Sequence, residues 1–197
     1  MIKKLLIASN NPGKISEISD LLKDLDVQLL TPADIQLNLD VEETGLSYKE
    51  NARLKAQAFC KASGLYSLAD DTGLEVKVLE GAPGLHSKRY SPDPDASDAD
   101  RRKLLLNNLQ AYPRPWEARF VCAVALASSD GRLAEYQDYC KGEIIPEERG
   151  EHGFGYDRIF LFPQQGKTMA ELNMKEKNRI SHRAKAVLGI VPFLKSF

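Results

Sequence analysis

At 197 residues, with 43% hydrophobic and 28% charged residues, the chain has the composition of a globular protein able to bury a core of its own. Its formal net charge of −1 gives no general attraction for polyanions, so nucleic acid is not an expected partner and any anion site must be local. No run of about 18 apolar residues occurs, so no membrane partner is expected either. The apolar stretch in "MIKKLLIASNN" is too short for a signal-peptide core, which makes the cytoplasm the expected location.

The first expected strand is Lys4 to Ala8, followed by the polar loop "SNNPGK". Ile15, Ile18, Leu22 and Leu25 then recur at helical spacing. "DVQLL" reads as a second strand. "SYKE", Ser47 to Glu50, is a capping box opening a helix that runs to Gly64. "LYSLAD" enters a strand ending in carboxylates, and "LEVKVL" alternates Leu74, Val76 and Val78 with strand period. "SPDPDASDAD", Ser91 to Asp100, reads as a surface connection, and "DADRRKLLLNNL" as a helix. "ARFVCAVALAS" and "LAEYQDYCKGEII", joined at "SDGR", read as an antiparallel hairpin at the centre of a sheet. In "KNRISHRAKAVLGIV", Ile180, Ala184, Val187 and Leu188 share one face of a single helix. Interleaved helices and strands with a long hairpin predict an α/β fold on a mixed sheet, in one domain over residues 1–197. Cys60, Cys122 and Cys140 are widely spaced, with no C-x-x-C, and read as reduced structural thiols.

Several stretches carry chemistry. "SNNPGK", Ser9 to Lys14, lies between a strand and a helix, where free N–H groups and the positive helix end suit phosphate. The P-loop pattern is absent, and a plain turn capped by Asn is the alternative. In "EETG", Glu42 to Gly45, acids near a helix start read as dipole partners. In "LADDTGLEV", Asp70 and Asp71 are neighbours on a strand, so they point to opposite faces and do different jobs. Two buried acids suffer repulsion and desolvation, which Mg²⁺ would offset. An Asp-Gly turn is the alternative. "GAPGLHSKRY" offers Ser87, Lys88 and Arg89 as a basic rim or a solvated turn. "GFGYDRIF", Gly153 to Phe160, is a tight turn into a strand or a platform for a flat ligand. In "KEKNRISHRAKA" a solvated basic face competes with a binding role. The three histidines have no zinc spacing.

Taken in order, "SNNPGK", "ETG" with "ENARLKA", "ADDTGLEV" with "GAPGLHSKRY", "GFGYD", "AEL" and "ISHRAKA" run across nearly the whole chain. Together they resemble the noncanonical purine NTP pyrophosphatase family, also called inosine triphosphate pyrophosphatases or Ham1-like proteins. The resemblance implies hydrolysis of ITP, dITP and XTP to the monophosphate and pyrophosphate with Mg²⁺, cleansing the nucleotide pool. It implies two lobes around a central cleft, on a long mixed sheet with flanking helices, and a homodimer. It assigns Ser9, Asn10, Asn11, Pro12, Gly13 and Lys14 to the triphosphate, with Lys55 near the phosphates. It assigns Glu43 and Asp71 to the metal, Asp71 to general-base work, and Asp70 to its support. Thr72 contacts substrate in place of a more usual Ser. Phe154, Gly155, Tyr156 and Asp157 form the base-binding segment, and Lys177, His182 and Arg183 complete nucleotide binding. Asn10 stands for a common Gly, and Arg158 for a Pro that usually follows Tyr-Asp.

The implied chemistry sends water to the α-phosphorus, oriented or deprotonated by Asp71, while Lys14, Lys55 and the loop backbone stabilise leaving pyrophosphate. A donor such as Arg183 or a backbone N–H would select a 6-keto purine over adenine. Two rivals stand beside this reading: a pyrophosphatase with another base preference, and a nucleotide-binding module that does not hydrolyse.

Overall fold

The computed structural model describes residues 4–196; Met1–Lys3 of "MIKKLLIASNN" and Phe197 lie outside the described residues. Strand β1 (Lys4–Ile7) has its three apolar residues fully buried. It pairs in parallel with β2 (Gln28–Leu30) on one side and β3 (Tyr66–Val76) on the other, Leu5 facing Leu29 and Tyr66. A strand covered on both edges and both faces needs a continuous apolar run rather than an alternation, and "LLI" supplies it. The remaining strands are β4 (Pro83–Gly84), β5 (Trp116–Ala127), β6 (Leu133–Ile144), β7 (Phe160–Phe162) and β8 (Lys167–Thr168). The sheet order is β2-β1-β3-β5-β6-β7-β8, with β4 beside β3. Pairings β3–β4, β6–β7 and β7–β8 are antiparallel. The sheet is therefore mixed, as expected, and β5 and β6 are neighbours in its middle.

Among the described residues, five α-helices flank the sheet: α1 (Pro12–Leu22), α2 (Tyr48–Ser63), α3 (Asp98–Leu109), α4 (Met174–Ile180) and α5 (His182–Ser196). Their ends follow local chemistry. Ser47 accepts from Glu50 N–H at 3.2 Å to start α2, and Gly64, at φ 72°, ends it. The expected box at Ser47 is only half formed, because Glu50 Oε2 accepts from Leu46 N–H instead of Ser47 N–H. Complete boxes form by Ser97 with Asp100, at the start of α3, and by Thr168 with Glu171.

Three expectations need correction. "LYSLAD" and "LEVKVL" are not separate strands around an Asp-Gly turn; β3 runs through Asp70, Asp71, Thr72 and Gly73, and "KVL" is a 3-10 turn. The last helix is two helices. Ser181 breaks it, its Oγ accepting from Ala184 N–H at 3.1 Å and its carbonyl from Lys185 N–H at 3.1 Å. Leu188 is not on the buried face: it is 49% exposed, while Ala184, Val187 and Ile190 are buried.

The chain divides into two compact units, Met1–Asp71 with Cys122–Asp138 and Ser181–Phe197, and Thr72–Val121 with Tyr139–Ile180. The core of the first gathers Leu5 and Ile7 of β1, Ile18 and Leu22 of α1, and Val187 and Ile190 of α5. The core of the second is aromatic: Phe160 stands 4.7 Å from Phe120 and 5.3 Å from Phe162, between ring centroids. Each fully buried Leu, Ile or Phe stabilises by about 1.5–3 kcal/mol. Among the described residues, no helix is long and apolar enough to cross a membrane.

Candidate active site

In the first unit, Ala8 N–H donates to Leu68 carbonyl at 2.8 Å, which carries the β1–β3 pairing to the end of β1. The loop beyond it is organised by Asn11, the N-cap of α1, whose Oδ1 accepts from Gly13 N–H at 2.9 Å and Lys14 N–H at 3.2 Å. Pro12 follows at N1, where its missing N–H costs nothing. Ser9 Oγ accepts from Asn11 N–H at 3.2 Å, and Asn10 Nδ2 donates to Leu39 carbonyl at 2.9 Å. The capped turn is thus formed, and the N–H groups of Gly13 and Lys14 are engaged within it.

Lys14, in the first turn of α1, reaches across to β3. Its ammonium lies 3.1 Å from Asp70 Oδ2. Arg183 of α5 approaches the same oxygen, Nε at 3.2 Å, and its Nη1 donates to Glu17 of α1. All three partners of this cluster, Glu17, Asp70 and Arg183, are buried. Burial works against the Asp70 carboxylate, but Lys14, Arg183 and Lys55 hold it far below the usual carboxylate range. Arg183 is only 2% exposed and pairs with two carboxylates. His182 beside it is buried too.

Asp71 faces the other way, toward α2. Asn51 Nδ2 donates to Asp71 Oδ2 at 3.2 Å, while Asn51 Oδ1 accepts from Gly45 N–H at 2.8 Å. That one amide ties the "ETG" loop to β3. Gly45 has to be glycine, because a Cβ there would stand 2.7 Å from Asn51 Oδ1 and from Glu50 Cβ. One helical turn after Asn51, Lys55 donates to Glu43 Oε1 at 2.7 Å and to Asp71 Oδ1 at 3.3 Å. Glu43, not the exposed Glu42, is the acid that joins Asp71. Burial opposes the Lys55 ammonium, but Asp71, Asp70 and Glu43 outweigh it and raise its pKa. Burial also dominates at Asp71, and with Glu43 nearby it raises that carboxyl above the ordinary range despite Lys55, Lys14 and Asn51.

The cluster therefore sets four carboxylates, Glu17, Glu43, Asp70 and Asp71, against three cations, Lys14, Lys55 and Arg183. Glu43 and Asp71 share Lys55. Two carboxylate donors, completed by substrate oxygens, suit Mg²⁺. Among the described residues, no group of three or more His, Cys, Asp or Glu forms a metal site by itself. The sequence reading gives Glu17 and Asn51 no role. Both carried a signal: Glu17 lies beside the apolar stripe of α1, three residues after Lys14, and Asn51 lies four residues before Lys55.

The second unit holds Thr72, half-buried on β3, and the "GFGYD" turn. Asp157 Oδ2 accepts from Phe154 N–H at 3.1 Å and from the Lys177 ammonium of α4 at 2.7 Å. Lys177 also stands 5.6 Å from the Phe154 ring centroid. Gly153 has φ 76°, and a Cβ on it would lie 2.1 Å from Asp157 Oδ2. Tyr156 is buried, its hydroxyl donating to Ser87 carbonyl at 2.8 Å. Ser87 Oγ in turn donates to Gly84 carbonyl at 2.6 Å and accepts from Leu74 N–H at 2.8 Å. In "GAPGLHSKRY", Ser87 is thus a structural joint, while Lys88 and Arg89 are exposed. Phe154 is half-buried, leaving part of its ring accessible.

Residues 5–193 match the sequence profile of the Ham1 family. The chain belongs to that family. Relatives named dITP/XTP pyrophosphatase include one from Desulforamulus reducens, 42% identical over 93% of this chain and 92% of its own length. Another, from Thermus thermophilus, is 43% identical over 95% of this chain and 90% of its own. Among solved structures, a Ham1 protein from Coxiella burnetii superposes with a TM-score of 0.87 at 38% identity, covering 100% of both chains. The Staphylococcus aureus Ham1 protein gives 0.84 at 38% identity, covering 98% of this chain and 99% of its own. The α/β architecture is thus that of Ham1 proteins.

Proposed function

We propose that this chain is a nucleoside triphosphate pyrophosphatase that hydrolyses ITP, dITP and XTP to the monophosphate and pyrophosphate, cleansing the nucleotide pool. The observation that carries the reading is Lys55, which draws the Glu43 and Asp71 carboxylates onto one cation. The names of the Desulforamulus and Thermus relatives support the substrate class. Mg²⁺ held by Glu43 and Asp71 would supply neutralisation of the phosphate oxygens.

The chain's own residues do the rest. Water attacks the α-phosphorus as the bond to the bridging oxygen of pyrophosphate breaks. Asp71 orients that water and accepts its proton. Asn51 holds the Asp71 side chain, and Asp70, clamped by Lys14 and Arg183, is a structural anion rather than a base. Lys14 and Lys55 turn toward the phosphates and stabilise the leaving pyrophosphate, joined by Ser9, Asn10 and the Asn11–Gly13 turn. Phe154 stacks on the purine, with Gly155 and Tyr156 shaping the turn and Asp157 fixing it through Lys177. Thr72 and His182 complete the nucleotide contacts. The reading includes a single functional domain over residues 1–197, acting in the cytoplasm as a homodimer.

A panel of ITP, XTP, dITP, GTP and ATP with Mg²⁺, scored by pyrophosphate release, tests it. Turnover of the first three well above that of GTP and ATP is expected. Preference for another base moves the chain to a different pyrophosphatase specificity. Binding of ITP without hydrolysis makes it a sensing module, and either result overturns the proposal.

A further inference from the structure

Two glycines flank Phe154, and they are restrained in different ways. Gly153 is locked by its crowding against Asp157. Gly155, at φ 61°, has nothing within 4 Å of where a Cβ would stand, so sterics do not fix its orientation. A glycine without such contacts samples many backbone angles. Hydrogen bonds to α3 supply the restraint. Gly155 N–H donates to Asp98 Oδ2 at 2.7 Å, and Gly155 carbonyl accepts from Arg102 Nη1 at 2.8 Å. Arg102 is itself buried and fixed by a two-pronged pair with Glu148, Nε to Oε1 at 2.8 Å and Nη2 to Oε2 at 2.9 Å. Burial opposes the Asp98 carboxylate, but the Arg101 and Gly155 hydrogen bonds outweigh it and hold its pKa below the ordinary value. Asp98, Arg102, Gly153 and Phe154 line one cavity of about 330 Å³.

We propose that Asp98 and Arg102 are positioning residues for the Phe154 platform. By holding both polar groups of Gly155 they fix the turn, and with it the direction in which the ring meets a purine. The proposal rests on the reading of Phe154 as the base contact. It places substrate affinity under the control of α3, whose residues carry none of the assigned contacts.

The test uses the full chain as wild type, Asp98→Ala, Asp98→Asn and Arg102→Met. Kinetics with ITP and Mg²⁺ are measured beside hydrogen exchange of the Gly155 amide by NMR. Asp98→Ala is expected to raise KM about tenfold with kcat within about threefold, the order expected when a charge-assisted hydrogen bond that orients a contact is lost. Asn keeps an oxygen acceptor, so Asp98→Asn returns KM to within about threefold of wild type. Gly155 amide exchange quickens in Asp98→Ala and not in Asp98→Asn. Arg102→Met shifts KM the same way; if that variant does not fold, the half-exposed Asp98 position still decides. An unchanged KM in folded Asp98→Ala, or a failure of Asn to restore it, overturns the proposal. If the wild type hydrolyses none of the panel, the functional reading has failed on its own. Amide exchange then decides the clamp, and a rapidly exchanging wild-type Gly155 overturns it.

Discussion

Asp71→Asn separates chemistry from stability at one atom. As the proton acceptor, Asp71 should be worth about 10²–10⁴ in turnover. Its effect on the fold runs the other way. Asp71 shares Lys55 with Glu43, and burial raises the Asp71 pKa. A carboxyl whose folded pKa exceeds its unfolded value, near ~4, contributes stability below that value and loses it as pH rises through the folded one. Once ionised, Asp71 is therefore a burden on the metal-free fold. The variant removes that charge, leaves Lys55 with Glu43 at 2.7 Å, and keeps an oxygen that can accept from Asn51 or Lys55. Its stability should lie within about 1 kcal/mol of wild type, or about 2–4 °C in a chain of this size, on the stabilised side once pH has risen through the folded pKa. Melting curves in EDTA from pH 4 to pH 8, with ITP turnover measured in parallel, check both halves. A variant melting about 8 °C lower at pH 7 would refute the argument from the burial of Asp71, and turnover within tenfold of wild type would refute the base assignment.

Lys55→Met removes the cation that Glu43 and Asp71 share. It should cost about 3–5 kcal/mol of stability in urea denaturation, because buried charge is left uncompensated, as well as lowering turnover. Arg183→Leu leaves Glu17 without its guanidinium partner and Asp70 with one cation fewer. A loss of about 3–5 kcal/mol is expected there too, whereas a purely base-contacting arginine would leave the melting curve in place. Phe154→Ala should raise KM about tenfold and change kcat much less, since one stacking contact is worth about 1–1.5 kcal/mol; equal losses in both would place the ring in the chemical step.

Local signals in the sequence were reliable where local chemistry decides. The start of α2 at Ser47, its end at Gly64 and the whole of α3 follow from capping residues and apolar spacing. The grouping of Lys14, Glu43, Lys55, Asp70 and Asp71 in one unit also agrees with the motif order. The failures share one cause, which is partners distant in sequence. "DDTG" has the residues of a turn, yet β3 stays extended because Lys14, Arg183, Lys55 and Asn51 arrive from elsewhere to meet the two carboxylates. Arg183 reads as part of a solvated basic helix face until Glu17, 166 residues away, is seen beside it. Periodicity alone also carries "KNRISHRAKAVLGIV" through Ser181, where side-chain capping restarts the helix.

The glycines of "GFGYD" drift under different rules. At Gly155 the backbone angle is the obstacle, and Asn, which tolerates left-handed backbone, is an admissible replacement at a modest penalty. At Gly153 both angle and space forbid a side chain, since even a methyl group would land on the carboxylate that Lys177 holds. In a saturation library selected for activity, position 155 should retain a minority of asparagine, while position 153 should collapse to a single codon family.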